Sequence, residues 1–171
     1  MSRIFFALWP DKETRSSLST ITQLFKDEKF RLVKKSNLHI TLEFLGEVSE
    51  SNQQQLIDQA NLIKAEPFEI ELTRIGWWRK PGVLWIGTHH SPKQLIHLVE
   101  SIKQMVEQQG LETEKRSYEP HVTIARKVKQ LQLPKQSFDI CWQVNSFALL
   151  VSESTNSGVE YHVVHEWPLT E

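Results

Sequence analysis

His39-Ile40-Thr41-Leu42 and His121-Val122-Thr123-Ile124 are two near-copies of one phrase, half a chain apart in 171 residues. Each reads His, apolar, Thr, apolar. Side chains on a β-strand alternate between faces, so the phrase sets His and Thr together on one face and turns its apolar residues to the other. A single copy describes an ordinary half-buried strand. Two copies at this spacing predict an internal duplication. The expected result is two pseudo-symmetric lobes, each bringing one His strand to a shared central cleft.

Working outward, the first phrase sits in a strand read as Leu38–Leu45 and ended by Gly46. Ile4–Trp9 is a six-residue apolar run stopped by Pro10 and Asp11. That is too short for a membrane span or signal-peptide core and suits a first buried strand. Asp11 is placed to cap a helix with apolar positions at Leu18, Ile21, Leu24 and Phe25. Ser51 and Gln54 fit a capping box for a second helix, with its stripe at Leu56, Ile57, Ala60 and Ile63 and its stop at Pro67. A third helix takes Ser91 as cap, Pro92 in its first turn, Gln94 to complete the box and Gly110 to close it.

Phe68, Ile70 and Leu72 alternate with polar residues as a one-sided strand. Val83–Ile86 follows Pro81-Gly82, which predicts a hairpin between these two strands. After Pro134 the pattern is all strand: Phe138 to Val144, Phe147 to Val151, and Val159 to Val163 beyond a turn near Asn156-Ser157-Gly158. The fold class is α+β: mainly antiparallel sheet in two lobes, helices packed outside, one domain over residues 1–171.

Composition narrows the partners. Apolar residues make up 39% and charged residues 24%, which fits a globular protein with a substantial core. The net charge of −1 provides no general attraction to long nucleic acid or an anionic membrane, so a nucleic-acid substrate would be small or bound at an end. The single cysteine, Cys141, cannot form an intrachain disulfide, which makes the cytoplasm the expected compartment. A monomer without membrane attachment is expected.

Two imidazoles flanking one ligand atom suit phosphodiester cleavage. A base must take a proton from the attacking oxygen, an acid must protonate the leaving oxygen, and donors must hold the non-bridging oxygens as charge builds. Histidine titrates near neutrality, so one of a pair can be neutral while the other is charged. His39 and His121 are the catalytic candidates, with Thr41 and Thr123 as hydroxyl donors to the phosphate. The scheme uses no metal or other cofactor. Basic residues precede both phrases, Arg31, Lys34 and Lys35 before the first and Lys115 and Arg116 before the second, and favour an arriving anion.

At these residues the chain resembles the two-histidine (2H) phosphoesterases, and more closely the bacterial RNA 2′,3′-cyclic phosphodiesterases, long called 2′-5′ RNA ligases. Asn37-Leu38-His39-Ile40-Thr41-Leu42-Glu43-Phe44-Leu45-Gly46-Glu47-Val48 is similar to the family's first motif, and Tyr118-Glu119-Pro120-His121-Val122-Thr123-Ile124-Ala125-Arg126 to its second. The resemblance implies metal-independent hydrolysis of a terminal 2′,3′-cyclic phosphate on RNA to a 2′-phosphate, with reversible 2′-5′ joining of RNA ends. It gives His39 the role of proton donor and His121 that of base, and makes Arg126 a phosphate contact. RNA 3′ ends are the expected partners. A small cyclic-phosphate nucleotide, such as a cyclic phosphate of ADP-ribose, and a non-catalytic RNA-end-binding module are the alternatives.

Strict alternation leaves two residues in awkward places. Glu43 shares parity with His39 and Thr41, where a carboxylate would repel phosphate, so it is expected at the outer end of the strand. Arg126 falls on the face opposite His121 unless a bulge or strand end re-aims it. Trp77, Trp78 and Tyr118 are aromatic candidates for stacking a base at the cleft mouth.

Overall fold

The computed structural model describes residues 1–27 and 29–171. Strand β1 (Ser2–Leu8) is buried on both faces from Ile4 onward. Ile4, Phe6 and Leu8 enter the main core, while Phe5 and Ala7 join Ala148 and Leu150 in a small cluster on the other face. Helix α1 (Lys12–Gln23) starts at Asp11, whose carboxylate accepts the Thr14 N–H at 2.7 Å. The chain then forms β2 (Arg31–Leu32), a 3-10 turn over Lys35–Asn37, β3 (Ile40–Val48), α2 (Glu50–Ala60) and β4 (Phe68–Leu72). It continues through β5 (Arg74–Trp78), β6 (Val83–Gly87), α3 (Lys93–Gln108), β7 (His121–Arg126), β8 (Ile140–Val144), β9 (Ser146–Thr155) and β10 (Gly158–Pro168).

One sheet runs β10-β9-β1-β3-β7-β6-β5, with β2 also paired to β7, and a second sheet is the pair β4-β8. The pairings are antiparallel. Leu18 of α1, Leu56 of α2 and Leu95, Leu98, Val99 and Ile102 of α3 all join the main core, so the helices cover the sheet face that carries Ile4, Phe6 and Leu8. The duplication is visible in the connections. β1-α1-β3 in one half matches β6-α3-β7 in the other, and the two His strands meet at the seam, where Ile40 pairs with Val122. β4 and β8, which follow the His strands in each half, pair with each other. The mixed α+β architecture of antiparallel sheets with helices on one side is the one expected from the sequence. Among the described residues no helix is long and apolar enough to cross a membrane.

Several local expectations fail. The first His strand is not ended by Gly46 but runs from Ile40 to Val48. Ser49, not Ser51, caps α2, with its hydroxyl accepting from the Asn52 N–H at 3.2 Å. Two serines lie near that helix start, and the capping-box spacing selected the wrong one. Helix α3 begins after Pro92 rather than Ser91, with no side-chain cap. The strand at Phe68 forms no hairpin with the one at Val83. β6 pairs with β5, which was not read as a strand, and β4 crosses to β8.

Candidate active site

The antiparallel register at the seam arranges the two phrases before any side chain is considered. With Ile40 opposite Val122, His39 falls on the side of Thr123 and His121 on the side of Thr41. The two imidazoles are thus set diagonally, with a hydroxyl between them on each strand. His39, Thr41, His121 and Thr123 all line one cleft of about 520 Å³. Phe5, Phe44, Tyr161, Arg3, Arg31 and Arg126 also line it.

Arg126 and Glu43 are placed by paired irregularities. In β7 Leu84 faces Ala125 while Trp85 faces Thr123, leaving Ile124 as an extra residue. Ile124 and Ala125 are both buried in succession, and Arg126 returns to the face of His121 and reaches the cleft. In β3 Phe6 faces Glu43 while Ala7 faces Thr41, leaving Leu42 as the extra residue. Both bulges fall on the residue after the Thr of the phrase. They shift alternation by one, so the third residue after each Thr faces the cleft: Phe44 in β3 and Arg126 in β7.

The same shift corrects the expectation for Glu43. Rather than sitting at the outer end of the cleft face, it turns into the core, only 2% exposed. There it accepts the Glu114 N–H at 2.7 Å and has the Lys103 ammonium of α3 at 3.7 Å. Burial raises the pKa of its carboxyl, and the Glu114 N–H and Lys103 oppose the rise. The contact ties the bulge of the first motif to the segment that leads into the second.

Each imidazole is tethered by the same device. His39 Nδ1 lies 2.6 Å from the Asn37 carbonyl and His121 Nδ1 lies 2.8 Å from the Glu119 carbonyl, two residues back in both cases. A carbonyl only accepts, so Nδ1 carries the proton and Nε2 keeps its lone pair in the neutral ring. The Thr41 hydroxyl, 3.0 Å from His39 Nε2, then donates to it. Asn37 is itself fixed, its side-chain amide donating to the Val159 carbonyl at 2.7 Å. From α1, Arg15 Nη1 donates to the Lys35 and Leu38 carbonyls at 2.8 and 2.9 Å, which clamps the turn ahead of His39.

The two rings have different surroundings. His39 is enclosed by Phe5 and Tyr161, with ring centroids 5.1 Å away in both cases, and by Trp9 at 6.2 Å. Burial, helped by the charges of Arg15, His121 and Arg126 and opposed by the Asn37 carbonyl, pulls its pKa down to about 4. His121 meets Trp78 edge-on at 4.8 Å and Trp85 at 6.0 Å. Its pKa is lowered as well, first by burial and then by Arg126, with Glu119 opposing. Gly76 and Gly87 leave room for the Trp85 ring, which a side chain at either position would strike.

The aromatic candidates serve other purposes. Tyr118 does not line the cleft: its hydroxyl donates to the Thr41 carbonyl at 3.0 Å, and the ring packs on the core. It supports the first-motif strand from behind. Trp77 donates from its indole to the Val128 carbonyl at 3.1 Å and also packs on the core, and Trp78 backs His121. The aromatics on the cleft wall are Phe5, Phe44 and Tyr161. The bulge in β3 is what exposes Phe44. Cys141 lies outside the cleft on the exposed face of β8, where a hydrogen bond to Glu69 and the nearby carboxylates push its thiol up to about 11. Among the described residues no group of three His, Cys, Asp or Glu side chains is gathered as a metal site would require.

This geometry has close counterparts. Residues 8–85 match the family described as LigT like phosphoesterase. The RNA 2′,3′-cyclic phosphodiesterase of Escherichia coli is 30% identical over 99% of this chain and 97% of its own length. The enzyme of the same name from Bacillus subtilis is 43% identical over 77% of this chain and 76% of its own length. Among solved structures, E. coli LigT in its apo form superposes with a TM-score of 0.91 at 29% identity, covering 99% of this chain and 98% of that one. LigT complexed with 3′-AMP gives 0.92 at 30% identity, covering 99% of both chains. With identity at this level over nearly the full length of both chains, the protein belongs to the RNA 2′,3′-cyclic phosphodiesterase family of LigT-like phosphoesterases.

Proposed function

We propose that this protein hydrolyses the terminal 2′,3′-cyclic phosphate of RNA to a 2′-phosphomonoester, with His39 and His121 as its acid–base pair. The observation that carries this reading is the repeated tether: two imidazoles, each held at Nδ1 by the carbonyl two residues back, on one cleft with two threonines. Water attacks phosphorus as His121 Nε2 takes its proton. The P–O3′ bond breaks, and O3′ receives the proton from His39 Nε2. Thr41, Thr123 and Arg126 hold the non-bridging oxygens while charge accumulates there. An RNA 5′-hydroxyl in place of the water gives a 2′-5′ linkage by the same two proton transfers. The crystal structures of E. coli LigT complexed with 3′-AMP, ATP and phosphate support a nucleotide phosphate as the ligand of this cleft.

In the ligand-free protein His39 is too weakly basic to hold a proton at neutral pH, so the donor role requires the substrate to put one there. An anionic phosphate beside Arg126 offsets the positive charges that depress both rings and favours the imidazolium. Because the two sites interact, the proton belongs to the pair, and the bound anion decides where it rests.

The test is an oligoribonucleotide ending in 2′,3′-cyclic phosphate, incubated with the protein in chelator, with the position of the product phosphate identified. The expected product is the 2′-phosphate, formed at a rate the chelator does not change. A 3′-phosphate would exchange the positions of the two histidines relative to the substrate, and binding without turnover would leave only an RNA-end-binding module.

A further inference from the structure

Two arginines stand side by side on one wall of the cleft. Arg31 of β2 is the register partner of Arg126 of β7, and both line the cavity that holds the two imidazoles. Like charges directly opposed across an antiparallel pair destabilise the pair. Among the described residues neither guanidinium has a carboxylate within 4.0 Å to offset this. Lys34, further along the same wall, does: Glu160 lies 4.0 Å from its ammonium, and Ser157 Oγ accepts from it at 3.3 Å. Among the described residues the arginine pair, like Arg3 on the same cleft, has no such partner.

The exposed Arg31 side chain reaches toward the turn between β9 and β10, with Nη2 3.4 Å from where a Cβ on Gly158 would sit. The two arginines differ in their distance from the reacting centre. Arg126 lies near enough for its charge to act on both His39 and His121, whereas Arg31 lies opposite it on β2, which borders β7 beyond the point where β3 pairs with it. Arg126 itself is three residues along β7 from Thr123, roughly 10 Å of strand. One anion held between the histidines engages the near arginine and leaves the far one facing open cleft.

We propose, on the cyclic-phosphodiesterase reading, that Arg31 with Arg126 beside it forms a second phosphate subsite, which takes the phosphate on the 5′-oxygen of the nucleotide being opened. In an oligoribonucleotide this is the last internucleotide phosphate. In a mononucleotide it is a terminal 5′-phosphate. Guanidinium–phosphate pairing is charge-assisted and often bidentate, which suits a planar group facing the cleft. The subsite makes a 5′-phosphorylated terminal nucleotide, rather than a bare nucleoside cyclic phosphate, the preferred substrate class.

The experiment compares kcat/KM for three substrates: a nucleoside 2′,3′-cyclic phosphate with a free 5′-hydroxyl, the same compound with a 5′-phosphate, and a dinucleotide ending in the cyclic phosphate. The 5′-phosphorylated compound and the dinucleotide are expected to exceed the 5′-hydroxyl compound by about tenfold to a hundredfold. Arg31→Gln brings that ratio close to one, and Arg31→Lys keeps part of it. A ratio of kcat/KM values does not depend on how much of a variant is folded. A gain for the 5′-phosphorylated mononucleotide without one for the dinucleotide supports the subsite and identifies free nucleotides as its source of phosphate. Equal values in the wild type, or a preference that survives in Arg31→Gln, would overturn the subsite while leaving the hydrolytic reading intact. No hydrolysis of any of the three defeats both.

Discussion

His39→Ala and His121→Ala each lower kcat/KM on an RNA 2′,3′-cyclic end by about 100- to 10,000-fold, the range for removal of a general acid or base. Each ring presents Nε2 to the cleft because Nδ1 is engaged behind it. Alanine removes the proton carrier and leaves the strand in place, since both residues stand at strand starts and the apolar neighbours Ile40 and Val122 supply the core packing. The double variant is expected to lose little more than the worse single one, because the base and the acid serve one concerted step and act as a unit. Steady-state kinetics on the three variants is the check. Losses that multiply in the double variant would mean that the histidines act independently.

Thr41→Val and Thr123→Val form the second large expectation. Each substitution keeps the branched shape and removes one hydroxyl donor, so kcat falls by about 100- to 1,000-fold for each. KM moves less, because the donors matter most when charge is greatest on the non-bridging oxygens. The two positions are not equivalent in the free protein. The Thr41 hydroxyl is occupied by His39 Nε2 at 3.0 Å, so substrate must displace that bond. Thr41→Val is therefore expected to perturb the titration of His39 as well as the rate, whereas Thr123→Val perturbs the rate alone. A loss confined to KM in both variants would assign the threonines to binding rather than catalysis.

Much of this site is legible in the sequence because the histidine phrase is repeated. Period-two alternation within each phrase sets His and Thr on one face, and half-chain spacing signals a duplicated unit. What alternation cannot reveal is where it breaks. The bulges at Leu42 and Ile124 reverse the parity of the residues that follow, sending Glu43 into the core and bringing Phe44 and Arg126 to the cleft, until a second irregularity at Leu45 restores it in β3. In β7 two successive core residues, Ile124 and Ala125, leave a visible trace of the bulge. In β3 the second member of the pair is a glutamate, whose burial depends on Lys103 and the Glu114 N–H from distant segments. The pairing of β4 with β8 was illegible for a related reason. Both strands alternate cleanly, but nothing local to Phe68–Leu72 names a partner as distant in sequence as Ile140–Val144, whereas the nearby turn at Pro81-Gly82 suggests a false one. Helix α1 was readable because Asp11 is the sole capping side chain at its start, while α2 offered competing serines.

The sharing of one proton by two imidazoles across a single phosphorus is tested most directly by following both histidine side chains by nitrogen-detected NMR at neutral pH while a non-hydrolysable analogue of a nucleoside 2′,3′-cyclic phosphate is added. His39, near 4 in the free protein, is expected to become imidazolium as the anion binds, with His121 remaining neutral and both Nε2 signals moving along one binding curve. A His121 imidazolium beside a neutral His39 would exchange the acid and base roles. A ring whose signals stay fixed at saturating ligand would contradict the shared site itself.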